Sequence, residues 1–339
     1  MVLRHPGPAS EDAPLTLEER PAPPPGDGQL AVAVSACGVC RTDLQLAEGD
    51  LGARRLPIVP GHQVVGHVSA VGAGCAGWRE GDRVGVTWLA GSCGACARCR
   101  EGRENLCPEA RFTGWDVDGG FCESTLVDAS VATPVPDRFP DLDAAPLLCG
   151  GVVGYRALRL ADVPDGGRLG LYGFGASALC VIQVARHRGC EVYVCTRSER
   201  ERKRARELGA TWAGSYDDMP PEPLEAAITF APVGEVVVAA LSAVDRGGRV
   251  VVNAIHLDRI PEFSYDRLWW ERSLMSVANV TRRDAREFLE IAADIPVRTA
   301  VEIHPLERAN HALARLQDGA VDGAAVLTMA DLGAAPTGS

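Results

Sequence analysis

From Gln29 to about Val86 the apolar positions come in short runs broken by glycine: QLAVAVSACGV, HQVVGHVSAVGAG and DRVGVTW. Alternation on valine-rich segments predicts short antiparallel strands of a barrel-like unit, interrupted by a cysteine-rich insert and resuming to about Pro136. After Asp141 the period changes. ALRLADV and then RLGLYGFGASALCVIQVARHRGCEVYVCTR read as helix, strand, glycine turn, helix and strand, which is a βαβ unit. LEAAITFA, EVVVAALSAV, RVVVNAI and SLMSV continue the alternation and imply a parallel sheet with helices on both faces. From about Thr281 the pattern predicts a helix over DAREFLEIAA, a strand at TAVEI, a helix to Gln317 and a last strand at GAAVLTM, while PAPPPGDG and the terminal GAAPTGS read as loop and tail.

At 339 residues the chain is too long for one ordinary core, so two domains are expected. Hydrophobic residues at 46% and charged residues at 23% suit a soluble globular protein, and no apolar run approaches the roughly 18 residues of a membrane span. The start MVLRHPGPASEDAPL lacks the pattern of a secretory signal, so a cytoplasmic protein is expected, with its 12 cysteines as thiols or metal ligands. A net charge of −11 opposes the nucleic-acid backbone, and the one basic cluster, Arg197 to Arg206, is interleaved with glutamates and reads as a solvated helix face.

Cysteine spacing is the strongest chemical signal. CGACARCREGRENLC sets Cys93, Cys96, Cys99 and Cys107 at gaps of two, two and seven in a polar loop with little to bury. Four thiolates around one zinc supply the staple such a loop needs, and the neighbouring arginines favour the thiolate forms. A common iron–sulfur signature also ends on Cys-Pro, as Cys107-Pro108 does, but it has only three residues in the last gap. Elsewhere Cys40 in CGVCRTDLQ, His62 in PGHQVVG and Cys149 in PLLCGGVVGYRAL are three candidate ligands for an open site, each weak alone.

In order along nearly the whole chain, ACGVCRTDL, PGHQVVG, GDRVGV, the four-cysteine run, PLLCGGVVGYRAL, LYGFGASA, ELGA and GGRVVV make the sequence resemble the zinc-containing medium-chain alcohol dehydrogenases, particularly their cinnamyl-alcohol-dehydrogenase-like branch. The resemblance implies an α/β fold: a GroES-like β-barrel catalytic domain over 1–150 with a zinc lobe at 93–107, a Rossmann doubly wound parallel-sheet cofactor domain over 151–280, and a return to the catalytic domain over 281–339. It implies two zinc ions per chain, one structural and one catalytic. Cys40, His62 and Cys149 would hold the catalytic ion, because the family's ligand is the cysteine immediately before Arg-Thr-Asp and not Cys37. Asp43 would orient a ligand imidazole. Thr42 would bond the substrate oxygen and begin a proton relay.

LYGFGASA sets Gly173, Gly175 and Ala178 in G-x-G-x-x-A between a predicted strand and helix, which places a pyrophosphate at the helix N-terminus. About twenty residues on, Thr196, Arg197 and Ser198 stand where an NAD enzyme carries Asp or Glu for the ribose. A hydroxyl and a cation suit a 2′-phosphate, so NADP(H) is preferred over NAD(H). Cofactor contacts are also assigned to Arg41, Ala176, Ser177, Asn253 and Ile255.

The chain departs from the family at two polar places near this chemistry. Gln45 replaces the relay's terminal histidine, and Gln63 replaces a glutamate after the ligand histidine. The first cannot take a proton near neutral pH, and the second removes a negative charge near the metal. Asp322 is a third departure, where relatives often carry a basic residue, and His256 is a candidate replacement proton donor. Trp88, by resemblance, and Trp115, by loop position, would line a pocket for aromatic or extended aliphatic substrates. The expected activity is hydride transfer between NADP(H) and a primary alcohol or aldehyde, mainly as an aldehyde reductase. The alternative is a zinc-containing reductase of C=C or C=N bonds. By the same resemblance the chain forms a homodimer or homotetramer.

Overall fold

A computed structural model describes residues 1–295 and 297–329; the terminal GAAPTGS lies outside the described residues. The chain divides into two compact units. Among the described residues, the first holds 1–149, 279–289 and 299–329; the second holds 150–278, 290–295, 297 and 298.

In the first unit, β1 (Gln29–Val39) is the longest strand and the centre of the sheet. It pairs antiparallel with β2 (Gln63–Val71), which pairs with β3 (Arg83–Val86), while β4 (Ser124–Asp128) adds a further antiparallel neighbour to β1. Glycines and register shifts at Ala31/Val32 and Val34/Ala36 bend this ladder toward the barrel form that the broken valine runs predict. The core beneath it is aliphatic, with Leu30, Val32, Val64, Val84, Ile58 and Phe121 fully or almost fully buried. Two late strands join the same sheet, and unlike the rest they run parallel to each other: Val301–Pro305 beside Ala324–Thr328. The helix Ala309–Gln317 between them supplies the crossover that parallel strands require.

In the second unit six parallel strands follow the order Trp212–Gly214, Glu191–Cys195, Arg168–Tyr172, Leu224–Thr229, Val244–Val252, Ser273–Ser276. The order reverses beside Arg168–Tyr172, where an open α/β sheet leaves its ligand crevice at the strand ends. Helix Ala176–His187 buries Ala178, Leu179, Val181, Ile182 and Val184, and its apolar positions explain why the strand–turn–helix reading was visible as a pattern.

Candidate active site and metal centres

The first ligand segment is organised by a helix cap. The chain leaves β1 at Val39, Cys40 is extended (φ −134°, ψ 178°), and helix α1 (Arg41–Glu48) begins. Asp43 is the third residue of that helix, and its Oδ2 accepts the Cys40 N–H at 2.9 Å. The capping interaction therefore fixes the backbone that carries the Cys40 thiol. The other oxygen of Asp43 accepts from Gly61 N–H at 3.1 Å and lies 3.2 Å from His62 Nδ1. Gly61 is left-handed (φ 94°), and a Cβ there would strike Phe121 and the Cys37 sulfur. A single buried carboxylate thus holds two candidate ligands, and it orients His62 with Nε2 3.3 Å from Cys40 Sγ. Cys149 follows the buried 3₁₀ turn Ala145–Leu148. Its sulfur, Cys40 Sγ and a His62 nitrogen all lie within 4.8 Å of one another.

Electrostatics within this cluster push its protons apart. Cys40 is held well below the usual thiol range, first by the hydrogen bond from Cys149 and next by the His62 charge and hydrogen bond, which together overcome burial. Cys149 is raised well above that range by the same bond to Cys40 and by burial. Burial is the largest influence on His62 and disfavours its charged form, yet the Asp43 and Cys40 charges and bonds outweigh it and raise the pKa. Burial raises Asp43. Two thiols and an imidazole that contend for protons in one dry cluster suit a divalent cation, which replaces those protons.

The four-cysteine run forms a second cluster, reached from the ladder of Leu89–Gly91 with Arg111–Phe112. Four sulfurs bound to one zinc at about 2.3 Å in a tetrahedron are about 3.8 Å apart. Here Cys93–Cys99, Cys96–Cys99 and Cys107–Cys93 are separated by 3.9, 3.6 and 3.5 Å, so this set fits a closed tetrahedral site. Glu104, inside the run, is 3% exposed and accepts both the Arg282 N–H at 2.9 Å and Arg282 Nε at 3.1 Å. That tie to the start of helix Arg282–Asp294 gave no signal in the sequence, because the partners are 178 positions apart.

The alcohol dehydrogenase GroES-like domain matches residues 26–137, and the zinc-binding dehydrogenase domain matches residues 178–294. The chain belongs to the zinc-containing medium-chain alcohol dehydrogenases. It is 49% identical to a probable alcohol dehydrogenase, AdhA, of Mycobacterium tuberculosis (strain CDC 1551 / Oshkosh), across 96% of this chain and 95% of that one. It is 33% identical to an alcohol dehydrogenase of Geobacillus stearothermophilus over 93% and 96%. A cinnamyl alcohol dehydrogenase from Sorghum bicolor shares its fold at a TM-score of 0.82, with 27% identity over 91% of this chain and 92% of the other. As a member of this family the chain is an oxidoreductase that uses zinc and a nicotinamide cofactor on alcohols or aldehydes.

The dehydrogenase's other expected residues fall as follows. Thr42 is half-buried in the first turn of α1, where its backbone N–H helps to lower the Cys40 pKa; Arg41 is exposed. Gln45 is 8% exposed, and its Oε1 has no hydrogen-bond partner among the described residues. Gln63 opens β2 at 4% exposure and packs its amide against the backbone of Gly38, where a Cβ would come within 2.7 Å of Oε1. The cofactor turn has Gly173 at φ 94°, Gly175 as the N-cap, and Ala176, Ser177 and buried Ala178 in the first turn of the helix. At Gly173 a side chain would be strained and would also meet Ala231 N at 3.1 Å. Asn253 N donates to Thr229 O at 2.8 Å at the end of Val244–Val252, and Ile255 and His256 are exposed in the loop beyond.

One expectation needs revision at Thr196. Its side chain is 2% exposed, and its hydroxyl is donated to Glu201 Oε2, so it is not a ready donor to phosphate. Ser198 N-caps helix Glu199–Glu207 through Glu201 N–H, and Arg197 is exposed. Glu201 was missed because its register on a charged helix face gives no hint that it folds back onto the strand end. Asp322 lies in the turn before Ala324–Thr328, where its backbone N–H bonds Glu302.

Replacing Asp43 with asparagine puts N–H groups among three donors. The expected loss is roughly 10–100-fold in zinc affinity or in kcat/KM. Metal titration against a chromophoric chelator, alongside steady-state kinetics, measures it.

Proposed function

We propose that this dehydrogenase reduces aldehydes to primary alcohols with NADP(H), and that Cys40, His62 and Cys149 are the ligands of its catalytic zinc while Cys93, Cys96, Cys99 and Cys107 hold a structural one. The observation that carries the reading is the Asp43-locked convergence of two thiols and an imidazole beside an aromatic wall, the Trp88 ring lying 5.9 Å from that of His62. Bound there, zinc supplies Lewis acidity toward a substrate oxygen, and the nicotinamide supplies or accepts hydride. The chain's residues do the rest. Thr42, two residues after Cys40, holds the proton at the substrate oxygen, Asp43 keeps His62 oriented, and the hydrophobic wall excludes water. Gln45 does not ionise near neutral pH, so it cannot pass that proton on as a histidine would. Gln63 leaves the metal's surroundings less negative than a glutamate would.

The preference for NADP(H) rests on exposed Arg197 beside the strand end, not on the Thr196 hydroxyl, which is engaged with the Glu201 carboxylate. The expected kcat/KM is at least about tenfold higher with NADPH than with NADH, the factor of one charge-assisted contact. A higher value with NADH would overturn this assignment. A second reading, reduction of C=C or C=N bonds, is favoured by Gln45, which stands in place of a relay histidine and whose Oε1 has no hydrogen-bond partner among the described residues. Aldehydes, enones and imines offered with NADPH separate the two.

We also infer a cytoplasmic homodimer or homotetramer. No helix among the described residues is long and apolar enough to cross a membrane. The sheet edge Ser273–Ser276 is incompletely buried and follows exposed Tyr265, Trp269 and Trp270. Sedimentation equilibrium measures the state.

A further inference from the structure

Beside the open cluster, the first unit carries a continuous row of flat side chains. The Trp88 ring that faces His62 stacks on Trp115 at 5.8 Å and 19°, with Phe112 4.8 Å from Trp88 and 5.7 Å from Trp115. Over the outer ring lies the guanidinium of Arg54, its carbon 3.8 Å from the Trp115 centroid and 5.5 Å from that of Phe112. The two tryptophans are expected from the sequence, whereas Phe112 and Arg54 carry no signal there.

Arg54 is held in place by neighbours that are themselves fixed. Its Nη1 donates to Asp116 Oδ1 and Oδ2 at 3.3 and 3.2 Å, and Asp116 Oδ2 also accepts the Phe112 N–H at 2.9 Å. The Trp115 indole N–H is donated to Gly52 O at 2.9 Å, which ties the arginine's own loop to the ring beneath it. Stacking uses the face of the guanidinium and Asp116 uses one edge. The Nε–Nη2 edge, the pair that matches a planar carboxylate, makes no hydrogen bond among the described residues, and the side chain is 47% exposed. Since Arg54 and Asp116 cancel in charge, recognition here comes from the fork geometry at short range and not from a positive field.

We propose that Arg54 determines substrate specificity at the outer end of this wall, and that the preferred substrates are extended aryl aldehydes with a distal carboxylate. The aldehyde lies toward Cys40, His62 and Cys149, the ring runs along Trp88, and the carboxylate meets the Nε–Nη2 edge of Arg54. This rests on the aldehyde-reductase reading and adds to it a substrate class and the residue that selects it.

The probes are 4-formylcinnamate and its methyl ester, which share the aldehyde, ring and vinyl linker and differ in charge and by one terminal methyl group. With the native enzyme and NADPH, kcat/KM for the acid exceeds that for the ester by at least about tenfold, the effect of one charge-assisted contact. Arg54→Gln brings the ratio to about one, and Arg54→Lys, a point charge without the fork, leaves it in between. Titration of both compounds against tryptophan fluorescence without cofactor gives the same order in binding. An acid-to-ester ratio near one in the native enzyme, or a ratio unchanged by Arg54→Gln, overturns the proposal. If both compounds turn over without preference, this inference fails alone. If neither is reduced yet the acid binds better and only with Arg54 present, the carboxylate site stands and the aldehyde-reductase reading fails.

Discussion

A Cys149→Ala variant is expected to stay folded, to bind one zinc per chain instead of two, and to turn over at least about a thousandfold more slowly. Cys149 sits at the end of a 3₁₀ turn whose residues Ala145 to Leu148 are buried, so the backbone there is held by packing and not by the thiol. What the substitution removes is one corner of a three-ligand cluster and the hydrogen bond that lowers the Cys40 pKa. Lewis-acid stabilisation of a developing oxyanion amounts to several kcal/mol, and about 4 kcal/mol corresponds to about a thousandfold. Removing Asp43's charge is expected to cost less because all three candidate ligands remain. Metal analysis and steady-state kinetics on the same preparation check this. Native turnover with one zinc missing would mean that the cluster is not where the chemistry occurs.

The second large effect lies in the four-cysteine lobe and is of a different kind. Cys107→Ser is expected to lose the other zinc, to lower Tm by about 10 °C or more, and to expose the 93–107 segment to proteases. The lobe's helix Ala97–Arg100 is four residues long, too short to persist alone, and few of its side chains are buried besides Cys99, Glu104, Asn105 and Cys107. Metal binding is therefore expected to supply most of its folding free energy. Glu104 passes the loss on, since it caps the N-terminus of helix Arg282–Asp294. A domain of this size shifts by about 2–4 °C per kcal/mol, so a drop of 10 °C corresponds to a loss of a few kcal/mol. Differential scanning calorimetry, with metal analysis, gives the answer. A Tm within 1–2 °C of native, roughly the effect of a surface substitution, would show that the lobe folds without its ion.

How far these features were legible depended on whether the chemistry sat in one stretch of chain. The four cysteines fall within fifteen residues, so their gaps alone spell a closed site. The Gly173–Ala178 turn likewise declares itself through its place between an apolar strand and an apolar helix. Cys40, His62 and Cys149 are spread over 109 positions, and only resemblance to a family could join them; the capping geometry of Asp43 is the physical reason two of them meet. The parallel pair Val301–Pro305 and Ala324–Thr328 was readable as two strands but not as neighbours. Thr196 with Glu201, Glu104 with Arg282, and Arg54 over Trp115 were not readable at all. Each joins a polar side chain to a partner chosen by tertiary folding, and no periodicity records that choice.

The central claim is that zinc held by Cys40, His62 and Cys149 makes this chain a dehydrogenase. Graded dialysis against a chelator, with zinc content and NADPH-dependent aldehyde reduction followed together, tests it most directly. The three-ligand site, one protein donor short of the four-thiolate one, should empty first, with activity falling in proportion to the first zinc lost and returning when zinc is restored. Full activity after that zinc has gone would contradict the account.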